Sequence, residues 1–337
     1  MTSLESAMKR SFSQFNRAGA AVAQFRHKFH SKLALGLALL ALSAGTVAAQ
    51  APPPRTFPIR GGSQPFAITM GADGNFWFTL SNSNEVARIT PHGKISYFVT
   101  PSLSEPAFIT LGADGNIWLA EGSAGSIASV TPAGVVTEHQ FSFFGVSVGI
   151  TAGSDGNIWF TDQTDSAVWR YALSSGIFTE FLLPTSNSFP GDITRGADGN
   201  MWFTEQVAGK FGRITPSGVI TEFTGVDSPS SIAAGPDGNI WIASAFINQI
   251  ARVTPALDIT LFPTPSTPTI IRPGNGNNLL FTEISANKIA SITTGGVVTE
   301  SAEFIHSSPT GITAGVGREV WLLGTATNRV YETVVPR

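Results

Sequence analysis

Beyond residue 50 the apolar positions come in runs too short for helices. Within one stretch, "PAFITLG" (106–112), "NIWLAE" (116–121), "SIASVTP" (126–132) and "VVTEHQF" (135–141) are rich in β-branched and aromatic residues. The turn-forming "ADG", "GSAG" and "PAG" separate them. Such runs predict four short antiparallel strands, because polar turn chemistry falls between each pair of half-buried segments. No apolar periodicity of helical length follows residue 50.

The four-run unit repeats. "GADGNFWFTL" at Gly71 recurs with small changes at Gly112, Gly153, Gly196 and Gly235, and degenerate copies start at Gly274 and Gly315. The tryptophan column falls at Trp77, Trp118, Trp159, Trp202, Trp241 and Trp321, with Leu280 standing in once, at spacings of 41, 41, 43, 39, 39 and 41. A period of this length with four strand signals predicts an all-β, seven-bladed β-propeller of four-stranded antiparallel blades over residues 50–337. After Trp321 only sixteen residues remain, too few for a fourth strand, and "RTFPIRGG" (55–62) resembles outer-strand segments such as "ITLFPTP" (259–265). An N-terminal strand is therefore expected to close the last blade and leave no incomplete sheet.

Repetition also assigns roles. A packing requirement recurs in every blade and a single site does not, so Asp73, Asp114, Asp155, Asp198 and Asp237 with their tryptophans are read as architecture, the Asp-Gly-Asn pairs making tight hairpin turns. Arg88, Arg170, Arg213 and Arg252 recur in third strands, and Glu138, Glu180, Glu222 and Glu300 in fourth strands, which predicts cross-strand ion pairing.

The first residues follow other rules. Lys9, Arg10, Arg17, Arg26, Lys28 and Lys32 precede the apolar run "LALGLALLALSAGTV" (33–47), and Ala49 and Ala51 offer small residues for cleavage. The run is short of the ~20 residues that cross a bilayer, so residues 1–49 are expected to be a cleaved signal peptide, with no membrane span after cleavage. The remainder holds 14 basic against 22 acidic residues, a balance that disfavours nucleic acid. There is no cysteine, and a core this large needs no disulfide. A periplasmic or secreted monomer is the expectation.

At this point the segment "ITRGADGNMWFTEQVAGKFGRITPSGVITEF" (193–223) resembles a blade of the streptogramin B (virginiamycin B) lyase family, and the resemblance runs through all seven repeats. It implies a propeller that opens a cyclic depsipeptide by Mg²⁺-assisted elimination with a histidine base. The site would lie at one mouth of the channel, on loops leading into the last two blades and the first. At the positions that the resemblance marks, this chain has Ser308 and Thr310 in "SPTGI", Thr269 in "PTII", Phe66 in "QPFAIT" and Thr325 after the final tryptophan, where the family has glutamates, histidines and a tyrosine. Threonine is no general base near neutral pH and no carboxylate ligand for magnesium.

The column after the lead-in proline is Phe66, Ala107, Val148, Gly191, Ser230, Thr269 and Thr310, small or apolar throughout. It suits an apolar or neutral small molecule or peptide, with Phe66, Thr269 and Thr310 as binding residues and small anions disfavoured for want of a basic partner. Glu121, Asp162, Glu205 and Glu283, three residues after their tryptophans or Leu280, are candidates for a cation ring, or else cap turns or pair with nearby basic residues. His92 and His139 are read as solvated rim residues; His306, four residues before Thr310, is the candidate for a displaced base.

Three function classes follow. The first is an exported binding or interaction propeller that keeps a lyase scaffold without its chemistry. The second is a divergent metal-dependent carbon-oxygen lyase or hydrolase using His306 with Glu105, Asp192 or the carboxylate ring. The third is a calcium-dependent lactonase-like propeller.

Overall fold

The computed structural model describes residues 53–334 apart from 103 and 143. The expected leader, residues 1–49, lies outside the described residues. Among the described residues, twenty-eight strands, β1 to β28 in chain order, form seven four-stranded antiparallel sheets. Blade 1 is β2 (Pro65–Met70), β3 (Phe76–Leu80), β4 (Glu85–Ile89) and β5 (Ile95–Val99). Blades 2 to 6 follow in the same order over residues 109–140, 147–182, 190–223, 229–263 and 271–300. Blade 7 takes β26 (Pro309–Ala314), β27 (Glu319–Gly324) and β28 (Arg329–Val334) from the C-terminal end and β1 (Arg55–Pro58) from the N-terminal end. This closure is the one expected from the sequence.

The first strand of each blade lines the axis. Its central column is isoleucine in every blade, at Ile68, Ile109, Ile150, Ile193, Ile232, Ile271 and Ile312, all buried. Each removes a side chain worth about 2 kcal/mol from water and packs it beside the next blade. Outside that ring lie the tryptophans, which stack on the fourth-strand aromatic of their own blade, as in Trp77 on Phe98 and Trp241 on Phe262 at 5.3 and 5.5 Å. The turn aspartate fixes each indole. Asp114 accepts from the backbone N–H of Asn116 at 3.2 Å and from Trp118 Nε1 at 3.1 Å, and the same pattern holds at Asp73, Asp155, Asp198 and Asp237. Trp321, whose turn has no such aspartate, has a buried Nε1 without a partner.

The recurring arginines do not pair with the recurring glutamates. Arg88, Arg170, Arg213 and Arg252 lie over the Trp and Phe rings of their own blade, 5.2 to 5.9 Å from the centroids. Three of them donate to a carbonyl of the next blade, at Pro132, Pro216 and Thr294. The stack desolvates the guanidinium face while leaving its edge free to donate. Glu138 instead accepts from Ser102, Glu222 from Thr185 and Lys210, and Glu300 from Lys288.

Closure rests on apolar contact as well as on the ladder. Phe57 of β1 stacks on Trp321 at 5.7 Å, and Arg55 reaches Glu332 at 2.6 Å. Gly93, at φ 91° in the turn after β4, faces the Phe57 ring so closely that a Cβ there would lie 2.2 Å from it.

Candidate functional site at the channel mouth

Strand alternation puts the loops leading into each blade and the turns between second and third strands at one end of the barrel. Hydrogen bonds join the two sets, as from Val207 N to Ser188 O and from Ala245 N to Ser228 O. The lead-in residues Gln64, Glu105, Phe189, Ser228 and Ser308 all have left-handed φ between 46° and 54°, immediately before a proline. A strained backbone repeated in five blades belongs to the architecture. Just inside, the first strand is bulged in five blades, between Pro65 and Ile68 and at the matching positions after Ser147, Pro190, Pro229 and Pro309. A bulge re-aims the residues it carries, here those that follow the lead-in proline.

The positions implied by the resemblance do come to this mouth. Thr310 and Thr325 lie side by side, Oγ1 to Oγ1 at 2.9 Å, and both donate to the Pro65 carbonyl of blade 1, at 3.2 and 2.7 Å. They tie blade 7 to blade 1 as Thr79 Oγ1 ties blade 1 to Ala107 O and Thr161 Oγ1 ties blade 3 to Gly191 O. Ser230 makes the equivalent link to Thr269 O. Thr269 and Thr310 are buried and Phe66 and Ser308 half-buried; Phe66 meets Phe108 edge to face at 5.2 Å. Thr269, Ser308, Thr310 and Thr325 present hydroxyls and no carboxylate, so this donor set does not fit a magnesium ion, which favours carboxylate oxygens.

His306 is exposed on a left-handed turn, φ 54°, before β26. Glu105 is also exposed, while Asp192 is buried in the channel. Among the described residues no group of three or more His, Asp or Glu side chains could hold a metal.

Glu121, Asp162, Glu205 and Glu283 are fully buried, each against the fourth strand or neighbouring loop of its own blade. Glu121 accepts from Ser126 Oγ at 2.6 Å, and Asp162 from the backbone N–H groups of Val146 and Thr164 at 3.0 and 2.9 Å. Both oxygens of Glu205 and of Glu283 are buried without a partner. Burial, reinforced by the charge of Glu138, Glu222 and Glu300 respectively, pushes Glu121, Glu205 and Glu283 up to about 7. Burial also raises Asp162, against the pull of its two backbone N–H groups. These groups lie inside separate blades and form no ring.

Two residues depart from their repeat columns. His139 occupies the fourth-strand place held elsewhere by Phe98, Phe181, Phe223 and Phe262. It is half-buried, stacks on Trp118 at 5.0 Å, and bonds Ser129 Oγ at 3.1 Å and Tyr171 OH at 3.0 Å. Burial lowers its pKa. The expected rim histidine is therefore a joint between blades 2 and 3, and its column is the signal that marks it. Arg272, the second, stands inside the channel, ion-paired to Asp192 at 2.7 Å. The lead-in column lacks a basic residue, as read from the sequence, but the channel does not.

Large apolar side chains exposed on these loops and turns include Phe144, Val207, Phe246 and Ile305, 69 to 81% accessible. Fold and site together define a seven-bladed propeller with an apolar-fringed mouth and a hydroxyl-lined rim.

The chain matches the model of the virginiamycin B lyase family over residues 45–227 and 224–335, and it belongs to that family. Selenomethionine-substituted virginiamycin B lyase from Staphylococcus aureus is 30% identical with a TM-score of 0.80, covering 84% of this chain and 99% of that one. A catalytically inactive variant of the S. aureus enzyme with quinupristin gives 30% and 0.79 over the same shares. A streptogramin B lyase structure gives 29% and 0.79, over 84% and 97%. No curated protein sequence matches the chain. Among the described residues no helix is long and apolar enough to cross a membrane.

Proposed function

We propose that this protein is an exported propeller that binds an apolar or neutral small molecule or peptide at the channel mouth without performing the family's elimination. The observation that carries this reading is the Thr310–Thr325–Pro65 link. Two hydroxyls stand where the resemblance implies a histidine, at Thr310, and a glutamate, at Thr325, and both are engaged in holding blade 7 against blade 1. Neither can take a proton from a substrate near neutral pH without an activating group. Phe144, Val207, Phe246 and Ile305, each exposed on a loop or turn at this end, supply apolar contact area for such a ligand. Residues 1–49 act as the export signal in this account, and the mature chain works as a monomer in the periplasm or outside the cell.

A thermal-shift screen of neutral cyclic peptides and apolar amides against the mature chain tests the binding reading. Stabilisation by a neutral apolar ligand, reduced by both Phe66→Ala and Phe246→Ser, is the expected result. Stabilisation that neither variant changes removes the mouth from the account.

A further inference from the structure

Blades 2, 4 and 6 repeat one arrangement of charge. The glutamate that follows or ends the second strand, Glu121, Glu205 or Glu283, is fully buried. The fourth strand brings a second carboxyl beside it, from Glu138, Glu222 or Glu300. In blades 4 and 6 the third strand opens on a lysine, cross-paired to the inner glutamate. Lys210 Nζ meets Glu222 Oε2 at 2.8 Å and Lys288 Nζ meets Glu300 Oε2 at 2.7 Å, with 29 and 30% of the lysine side chains accessible. In these blades a cation stands beside the carboxyl pair, on the side that solvent reaches.

Blade 2 has a serine in the lysine column. Ser126 opens β8 (Ser126–Val130), two residues before the cross-strand partner of Glu138, as Lys210 and Lys288 stand two residues before the partners of Glu222 and Glu300. A serine brings no charge to the pair, and its Oγ donates to Glu121 Oε2 at 2.6 Å. Glu121 Oε1 is buried without a partner, and its carboxyl has Glu138 and Ser104 as further polar neighbours. Glu138 is only half-buried, and its Oε1 accepts from the N–H and Oγ of Ser102 at 2.7 and 2.8 Å. Two carboxyls in such contact do not both ionise unless a cation compensates them.

We propose that Glu121 and Glu138, with the hydroxyls of Ser104 and Ser126, form a cation site within blade 2 that takes a hard divalent ion of the calcium class. The two carboxylates balance its charge, and the unpartnered Glu121 oxygen supplies the buried ligand. Half-exposed Glu138 lets water complete a coordination sphere that calcium builds flexibly from carboxylate, hydroxyl and water oxygens. The ion does in blade 2 what the lysines do in blades 4 and 6, placing positive charge between the inner carboxyl and the outer strand. The site belongs to one blade and needs two carboxyls, and the inference stands independently of the mouth reading.

Thermal unfolding of the EDTA-treated mature chain with added calcium chloride tests it, at pH 8, above the value of about 7 to which burial and Glu138 push Glu121. Calcium should raise the melting temperature saturably, with its half-effect at about 0.1–1 mM, the range of open extracellular calcium sites. Sodium chloride at matched ionic strength should not. Glu121→Gln should lose the calcium response, and so should Ser126→Lys, whose ammonium takes the place of the ion as in blades 4 and 6. Glu205→Gln, in blade 4, should keep it. No saturable response, a response matched by sodium chloride, one retained by Glu121→Gln or by Ser126→Lys, or one lost in Glu205→Gln would each overturn the proposal.

Discussion

Replacing Glu205 by glutamine should stabilise this protein above neutral pH and leave it nearly unchanged in acid. Glu205 ends β15 (Met201–Glu205), fully buried with both oxygens unpartnered. Burial first, and the Glu222 carboxylate second, push it from its ordinary 4.5 up to about 7. The folded state therefore holds this proton more firmly than the unfolded chain. Its contribution to stability is fully present below pH 4.5, declines as pH rises through about 7, and is lost above that. A gap of this size is worth about 3 kcal/mol. Glu205→Gln keeps the shape without the charge, so at pH 8 it should gain roughly that amount, about 6 °C in melting temperature for a domain of this size. At pH 4.5 the two proteins should agree within about 1 kcal/mol. Urea and thermal unfolding followed by circular dichroism at both pH values give the comparison. A variant that is less stable at pH 8, or that shifts equally at both, would refute the argument that a buried carboxyl is being forced to ionise.

Deleting residues 50–58 should lower the melting temperature of the whole domain, because β28 loses its partner and Trp321 its Phe57 stack; a truncated chain that melts with the full mature chain would contradict the closure. Asp192→Ala should destabilise by about 3 kcal/mol in urea titration, since it strands the Arg272 charge inside the channel, and Asp192→Ala combined with Arg272→Leu should recover part of the loss. Gly149→Val should be destabilising by at least 2 kcal/mol, roughly the cost of an overpacked site, because a Cβ there would stand 2.4 Å from the Gly191 carbonyl of the next blade.

The sequence made the architecture readable because every blade repeats the same packing problem. The tryptophan spacing, the Asp-Gly-Asn turn and the sixteen residues after Trp321 led to seven blades and a borrowed strand. Partnership within a column was less legible. Arg88 and Glu138 recur at similar intervals, yet the arginines chose aromatic faces and the glutamates chose Ser, Thr and Lys, because the pleat sends neighbouring positions to opposite faces and spacing alone does not say which. Glu205 and Glu283, whose spacing makes them candidates for a cation ring, turn into their own blades for the same reason. His139 could have been found from its column of phenylalanines. The partner of Asp192 could not: Asp192 is a candidate acid in the sequence, but it sits in no repeating pattern, and a bulge and two neighbouring blades bring it to Arg272.

The most direct test of the central claim is chromatographic separation of cyclic and linear quinupristin after incubation with the purified mature chain, with and without Mg²⁺. The antibiotic is expected to stay cyclic in both, because Thr310 and Thr325 are tied to the Pro65 carbonyl and Thr269, Ser308, Thr310 and Thr325 supply neither a carboxylate nor an imidazole. Appearance of the linear product at a rate comparable with a virginiamycin B lyase assayed alongside, abolished by Thr310→Val, would contradict it.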